Sequence, residues 1–257
     1  LGAKLGLEID AATRKPIRNM APLLDNVPPS RLFDEMLKLL TCGDALACLK
    51  RLRAEGLHHG VLPLLDVILE QPLGERFVEQ ALTNTDRRIR EGKSISPGFL
   101  FAALLWHEVL ANWNQRKAAG EINIPALFAA MSDVLDRQAE KLAITKRLVG
   151  DIKEIWSLQP RFEQRSGKRP YALLAHPRFR AGYDFMLLRV ETGEIDMGIA
   201  DWWTAFIEGD HNDQETLIAS APRDTAPAKK RRRGGNRRRR GGGSGDASST
   251  PSDNDGV

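Results

Sequence analysis

The chain has 257 residues, 42% hydrophobic and 28% charged, an ordinary balance for a globule with one large core or two modest ones; two cysteines are too few for a disulfide scaffold. The net charge of +4 is unevenly placed: residues 221–257 hold ten Lys/Arg against four Asp, a net of +6, which leaves −2 for the first 220 residues. A near-neutral body with a basic appendage points to an anionic polymer or surface as partner, with nucleic acid the leading candidate.

No apolar run approaches the roughly eighteen residues that cross a bilayer, and the N-terminus lacks a charged region followed by an apolar stretch. The expectation is a cytoplasmic protein with no membrane partner. The first residues, LGAKLGL, begin with Leu1 and read as the middle of a helix without an N-cap, so a truncated chain is expected.

Apolar positions at helical spacing, punctuated by Gly, Pro, Asp and Ser, run over most of residues 10–208, and period-two strand patterns are scarce. Asp10 caps a first helix with a face of Ile17, Met20, Ala21 and Leu24, interrupted by Pro16 and ended by Pro28-Pro29. Ser30–Leu40 forms a second, with Leu32, Phe33, Met36, Leu37 and Leu40 inward and Gly43 as its stop. Asp44 caps the next helix and Gly56 closes it. A pair follows over 61–69 and 74–90. Ser96-Pro97 then opens a long helix from Gly98 to about Lys117, whose Phe99, Phe101, Leu104, Leu105, Trp106, Val109 and Trp113 surround most of its circumference, as in a central element. Helices over 125–142, 145–158, 177–191 and 199–208 pack around it. The predicted fold class is all-α, a multi-helix neck and body followed by a disordered basic tail. The expected divisions are 1–75, 76–220 and 221–257.

From Ala221 the pattern gives way to Ala/Pro, then Lys/Arg/Gly, then Gly/Ser/Asp/Thr, with no apolar face to offset ordering entropy. Its center is Lys229, Lys230, Arg231, Arg232, Arg233, Arg237, Arg238, Arg239 and Arg240, interleaved with glycines in the manner of RGG-type RNA-binding segments. The arginine fork pairs with phosphate bidentately and stacks on unpaired bases, while glycine lets the backbone follow an irregular strand. With half of these cations on phosphates, log affinity falls against log salt with a slope of roughly −3. The competing reading is a solubility or localisation tail.

A second basic stretch lies within the helical body. Between Arg137 and Arg189 stand twelve Lys/Arg against five Asp/Glu, with Arg161, Arg165, Lys168 and Arg169 close together and Arg178 and Arg180 shortly after. These six are the body's candidate RNA contacts. Tyr171, His176, Phe179 and Tyr183 fall among them, but aromatics at helical spacing favour core, and of Trp202-Trp203 at least one packs inward. Cys42, Cys48, His58 and His59 lack metal-site spacing, and the cysteines read as buried thiols within apolar helices. Asp133 and Asp136 read as an exposed helix face. Asp253-Asn-Asp255 has D-x-D spacing but no rigid support. No phosphate-cradling glycine loop or credible triad is present, so no catalytic or metal-binding residue is assigned.

Ala3–Asp10 (AKLGLEID), Val27–Lys38 (VPPSRLFDEMLK), Asn84–Ile89 (NTDRRI), Pro97–Ala103 (PGFLFAA), Ala143–Arg147 (AITKR) and Leu174–Asp184 (LAHPRFRAGYD) resemble the neck and body of bacterial poly(A) polymerases, class II nucleotidyltransferases, over roughly residues 1–208. The neck motif is shared with tRNA CCA-adding enzymes; the block around His176-Pro177 and the arginine-rich tail resemble only the former. The resemblance implies AMP transfer from ATP to single-stranded RNA 3′ ends, in RNA processing and decay. It places the metal-bound carboxylates in a head preceding Leu1, so ATP and Mg²⁺ are implied for the full-length enzyme and no cofactor for this chain, which is expected to be inactive alone. Arg31 and Glu35 match charged neck positions that brace the nucleotide site; a local salt bridge explains them equally. The alternatives are a stand-alone helical RNA-binding protein and a fragment of a CCA-adding enzyme.

Overall fold

A computed structural model describes residues 6–57, 72–139 and 142–221, and over those residues the chain is all-α, with helices joined by short turns and no strand. The Asp10 carboxylate accepts from the backbone N–H groups of Ala12 and Thr13 at 3.0 and 3.2 Å and so starts α1 (Ala11–Arg14). Pro16, with no N–H to donate, breaks the run as expected; α2 (Ile17–Met20) and a 3₁₀ turn (Ala21–Asn26) follow. Met20 is 54% exposed, so the apolar face expected here turns inward at half-buried Ile17, Ala21 and Leu24 and breaks at Met20. The break and the tighter 3₁₀ turn reset the 3.6-residue periodicity.

Helix α3 (Pro29–Leu40) buries Leu32, Phe33, Met36 and Leu40, close to the predicted stripe, and Gly43 turns the chain with a φ of +88°. Helix α4 (Ala45–Glu55) ends at Gly56, also left-handed. Its N-terminus departs from expectation: Asp44 makes no side-chain capping bond. The buried carboxylate of Asp86, on α5 (Pro72–Arg90), accepts instead from Ala45 N at 2.8 Å and Leu46 N at 3.3 Å. The cap comes from 41 residues downstream, beyond any local reading. The helix expected over 61–69 lies outside the described residues.

Ser96 Oγ accepts from Phe99 N at 3.3 Å and opens α6 (Pro97–Ala118), as the Ser-Pro pair predicts. Every residue from Leu100 to His107 is buried, which requires neighbours on all sides. α5, α7 (Asn123–Ala139) and α8 (Lys146–Phe162) supply them, and the Trp156 indole donates to Ala102 O at 3.0 Å to tie α8 to α6. α8 runs four residues past its predicted end because Pro160, in its last turn, removes only one late N–H. α9 (Arg169–Leu174) escaped the periodicity reading; α10 (Phe179–Glu191) and α11 (Met197–Glu208) were anticipated within two residues. α12 (His211–Ser220) also escaped, because it buries little. Its signal is the capping box of Asp210 and Asp213.

Two apolar clusters result. One runs from Leu32 to Trp156 and takes in Phe185 and Leu188; the other gathers Leu158, Phe162, Phe179, Met186, Trp203 and Phe206. Helix α10 serves both and crosses α8 at Gly182, where a Cβ would stand 2.7 Å from Leu158 Cδ1. Beside the crossing, buried Arg189 pairs with Glu194 at 2.8 Å, and Glu194 also accepts from the Trp106 indole at 2.8 Å. Gln159 accepts from Arg189 at 3.3 Å and donates to Gly182 O at 3.2 Å, so these buried polar groups satisfy one another.

Candidate nucleic-acid interface

The tail cations Lys229 to Arg240 lie outside the described residues; the body cations divide by what they touch. Arg161 is half-buried in the last turn of α8, Lys168 precedes α9 and Arg169 begins it, the latter two exposed at one corner. Half-buried Arg165 turns toward the fold: its guanidinium donates to Gly198 O at 3.3 Å and stands 5.8 Å from the Trp202 ring. Arg178 reaches back to α8, paired with Asp151 and, at 3.1 Å, with Glu154. Arg180, exposed, pairs with Asp184 one turn on at 3.0 Å. Arg165 therefore ties the turn after α8 to α11, and Arg178 ties the start of α10 to α8, whereas Lys168, Arg169 and Arg180 are exposed.

Arg31 and Glu35 stand on the solvent side of α3, opposite its buried stripe. The ion pair of Glu35 runs to Lys38 at 2.8 Å, and this bond holds the Glu35 carboxyl below its ordinary pKa.

Folding also assembles something the sequence reading did not single out. A cleft of about 550 Å³ opens between α5, the start of α6 and α10. Its walls follow helical spacing: Ala81, Asn84, Thr85 and Arg88 on α5 face Arg180, Asp184, Leu187 and Glu191 on α10, with Ile95 and Phe99 between them. Four arginines, 87, 88, 178 and 180, line it against two acids, Asp184 and Glu191. Arg88 is anchored on Ser94 O at 2.9 Å; exposed Arg87 meets the Asn84 amide oxygen at 3.4 Å, and Asn84 donates to Glu191 at 3.4 Å. Arg87-Arg88 is a visible pair in the sequence. Its partners on α10 lie some ninety residues away, so only packing reveals the cleft.

Of the aromatics interleaved with the cations, Phe179 and Tyr183 are core, while Tyr171 and His176 are half-buried. Phe179 and Tyr183 are buried and stacked on one another at 5.8 Å, and the Tyr183 hydroxyl meets Thr204 Oγ1 at 2.7 Å. Tyr171 packs on Phe206, and His176 Nδ1 accepts from Arg178 N. Both Trp202 and Trp203 are buried; their indoles donate to Leu217 O and Phe162 O. α12 covers Trp202.

Cys42 sits in the turn before α4 rather than in a helix, half-buried, with its sulfur 3.6 Å from that of Cys48; burial, chiefly, pushes the Cys48 thiol up to about 11. His58 and His59, like Asp253 and Asp255, lie outside the described residues. Asp133 is held by Arg116 and Asn112, which lowers its pKa, while Asp136 is exposed. Among the described residues no group of three or more His, Cys, Asp or Glu is placed to hold a metal ion, and no helix is long and apolar enough to cross a membrane. The Mg²⁺ implied by the resemblance finds no fitting donor set there, so no catalytic step is derived from these residues.

Two family models match: "Probable RNA and SrmB- binding site of polymerase A" over residues 6–69, and "Polymerase A arginine-rich C-terminus" over residues 119–240. The chain is 36% identical over 233 residues to poly(A) polymerase I of Salmonella typhi and 37% identical over 235 residues to that of Escherichia coli O157:H7, each match covering 88% of this chain and 50% of the relative. It is 36% identical over 226 residues to the Haemophilus influenzae enzyme, covering 86% and 50%. The chain thus spans about half the length of the curated relatives it matches, and over that span it belongs to the bacterial poly(A) polymerase family, in the part that carries the RNA-binding and arginine-rich regions.

Proposed function

We propose that this chain holds single-stranded RNA 3′ ends for an enzyme that transfers AMP from ATP to them, in RNA processing and decay in the cytoplasm. The observation that carries the reading is the arginine-rich match over 119–240, a stretch of sequence that includes both the exposed Lys168, Arg169 and Arg180 of the body and Lys229–Arg240 of the tail. In this reading residues 76–220 hold RNA on a folded surface and residues 221–257 add affinity through phosphate contacts that do not read sequence. Residues 1–75 support the nucleotide site, with Arg31 and Glu35 bracing it from the exposed face of α3. The carboxylates that bind Mg²⁺ and activate the primer hydroxyl belong to the half of the relatives' length that this chain does not span. Alone, the chain binds RNA and transfers nothing.

The test pairs two assays on the purified chain. Single-stranded RNA should bind with affinity that falls steeply with salt, and incubation with ATP, Mg²⁺ and an oligoadenylate primer should leave the primer unextended. Failure to bind RNA refutes the holding role, and primer extension refutes the division of labour.

A further inference from the structure

We infer that the cleft between α5, α6 and α10 is a subsite for one unstacked nucleotide of the bound strand, its phosphate on Arg87 and Arg180 and its base against the Ile95–Phe99 wall, where Glu191 accepts from an amino-bearing base edge. This subsite rests on the RNA-holding reading above and adds to it a location and a base preference.

The size fits first. A volume of about 550 Å³ falls within the range of small-ligand sites and suits a mononucleotide, whereas a duplex is too wide to enter. Charge fits next: exposed Arg87 and Arg180 stand on different helices, and each is steadied by a side chain of its own helix, Asn84 or Asp184. A fork held in place loses less freedom on meeting a phosphate. The apolar wall supplies what a simple anion does not need. Ile95 and Phe99 are half-buried, and Phe99 is braced edge-on by Phe185 at 5.7 Å. A base laid against them gains stacking and burial, the usual source of affinity for unpaired strands.

The acids decide between partners. An acidic peptide would fit the four arginines but would meet Asp184 and Glu191 in the same cleft, like charge on like. A base carries donors as well as acceptors. The Glu191 carboxylate, reached from Asn84 at 3.4 Å, is an acceptor pair suited to the exocyclic amino group of adenine, cytosine or guanine, which uracil lacks. The cleft should therefore favour amino-bearing bases over uracil.

The experiment uses the whole chain with fluorescent oligoadenylate and oligouridylate of about twelve nucleotides, a length within known single-strand site sizes. The R87A/R180A double variant should bind oligoadenylate about tenfold more weakly, with a salt slope shallower by about one. The R87K/R180K variant should recover part of the loss. E191Q should shrink the preference for oligoadenylate over oligouridylate while leaving the salt slope in place. A photoreactive adenosine in the strand should crosslink to residues 84–99 or 180–191. Unchanged affinity in R87A/R180A, with the unaltered chain still binding RNA, overturns the subsite and leaves the RNA-holding role standing. No RNA binding by the unaltered chain overturns the role itself. An unmoved base preference in E191Q overturns the assignment to Glu191. Crosslinks displaced by polyglutamate but not by oligoadenylate overturn the subsite in favour of a protein partner.

Discussion

Replacing Asp86 with alanine tests the assembly of the fold at a single side chain. The Asp86 side chain is buried and accepts from two backbone donors at the start of α4, one on Ala45, which is fully buried. Loss of an N-cap acceptor costs about 1 kcal/mol. The Ala45 N–H, shut away from water, then goes unsatisfied, which adds about 2 kcal/mol. The sum of about 3 kcal/mol lowers the melting temperature of a body this size by roughly 6–12 °C, measured by far-ultraviolet circular dichroism. Asp86→Asn keeps one acceptor oxygen and should lose about half as much. A fall of less than about 2 °C for Asp86→Ala would refute the long-range cap.

Gly182→Val should destabilise by about 2–3 kcal/mol, seen in urea unfolding, because a side chain at 182 runs into Leu158 where α10 crosses α8; an unchanged midpoint would mean the crossing is loose. Arg178→Ala should lower stability by about 1 kcal/mol while changing RNA affinity less than Lys168→Ala, since Arg178 is occupied by Asp151 and Glu154 whereas Lys168 is exposed; the reverse order would return Arg178 to the RNA face. The Cys48 thiol, raised from 9.0 to about 11, should alkylate slowly at pH 8, by roughly a hundredfold relative to an ordinary thiol. Because the folded state holds that proton more tightly than the unfolded state, its contribution to stability is complete below about pH 9 and is lost as pH rises toward 11; melting temperatures that stay flat over that window would contradict the burial.

The sequence made the strong periodic helices legible and left the weak ones hidden. Ser96-Pro97 and the apolar run behind it announced α6, and the stripe from Leu32 to Leu40 announced α3, because each buries a face whose spacing is its own signature. α9 and α12 were missed because the first has six residues and the second buries none fully, so neither carries a periodic signal. The cap on α4 was misassigned to Asp44 for a different reason: a carboxylate on another helix outcompeted the local one, a choice made only in the packed state. The site followed the same division. Clustering along the chain picked out Arg161, Arg165, Lys168 and Arg169, yet of these Arg165 turns to Gly198 and Trp202. The cleft's Arg87 and Glu191 were not singled out, since their proximity exists only across α5 and α10.

The central claim is that the chain holds single-stranded RNA through the body and tail together, and the most direct measurement is binding of such RNA to residues 1–257 and 1–221 across a salt series. The account predicts a log–log slope of roughly −3 or steeper for the full chain, and weaker binding with a flatter but nonzero slope for the shorter one, which keeps Lys168, Arg169 and the cleft. Equal affinity and slope for the two would contradict the role given to the tail, and absence of binding by both would contradict the account as a whole.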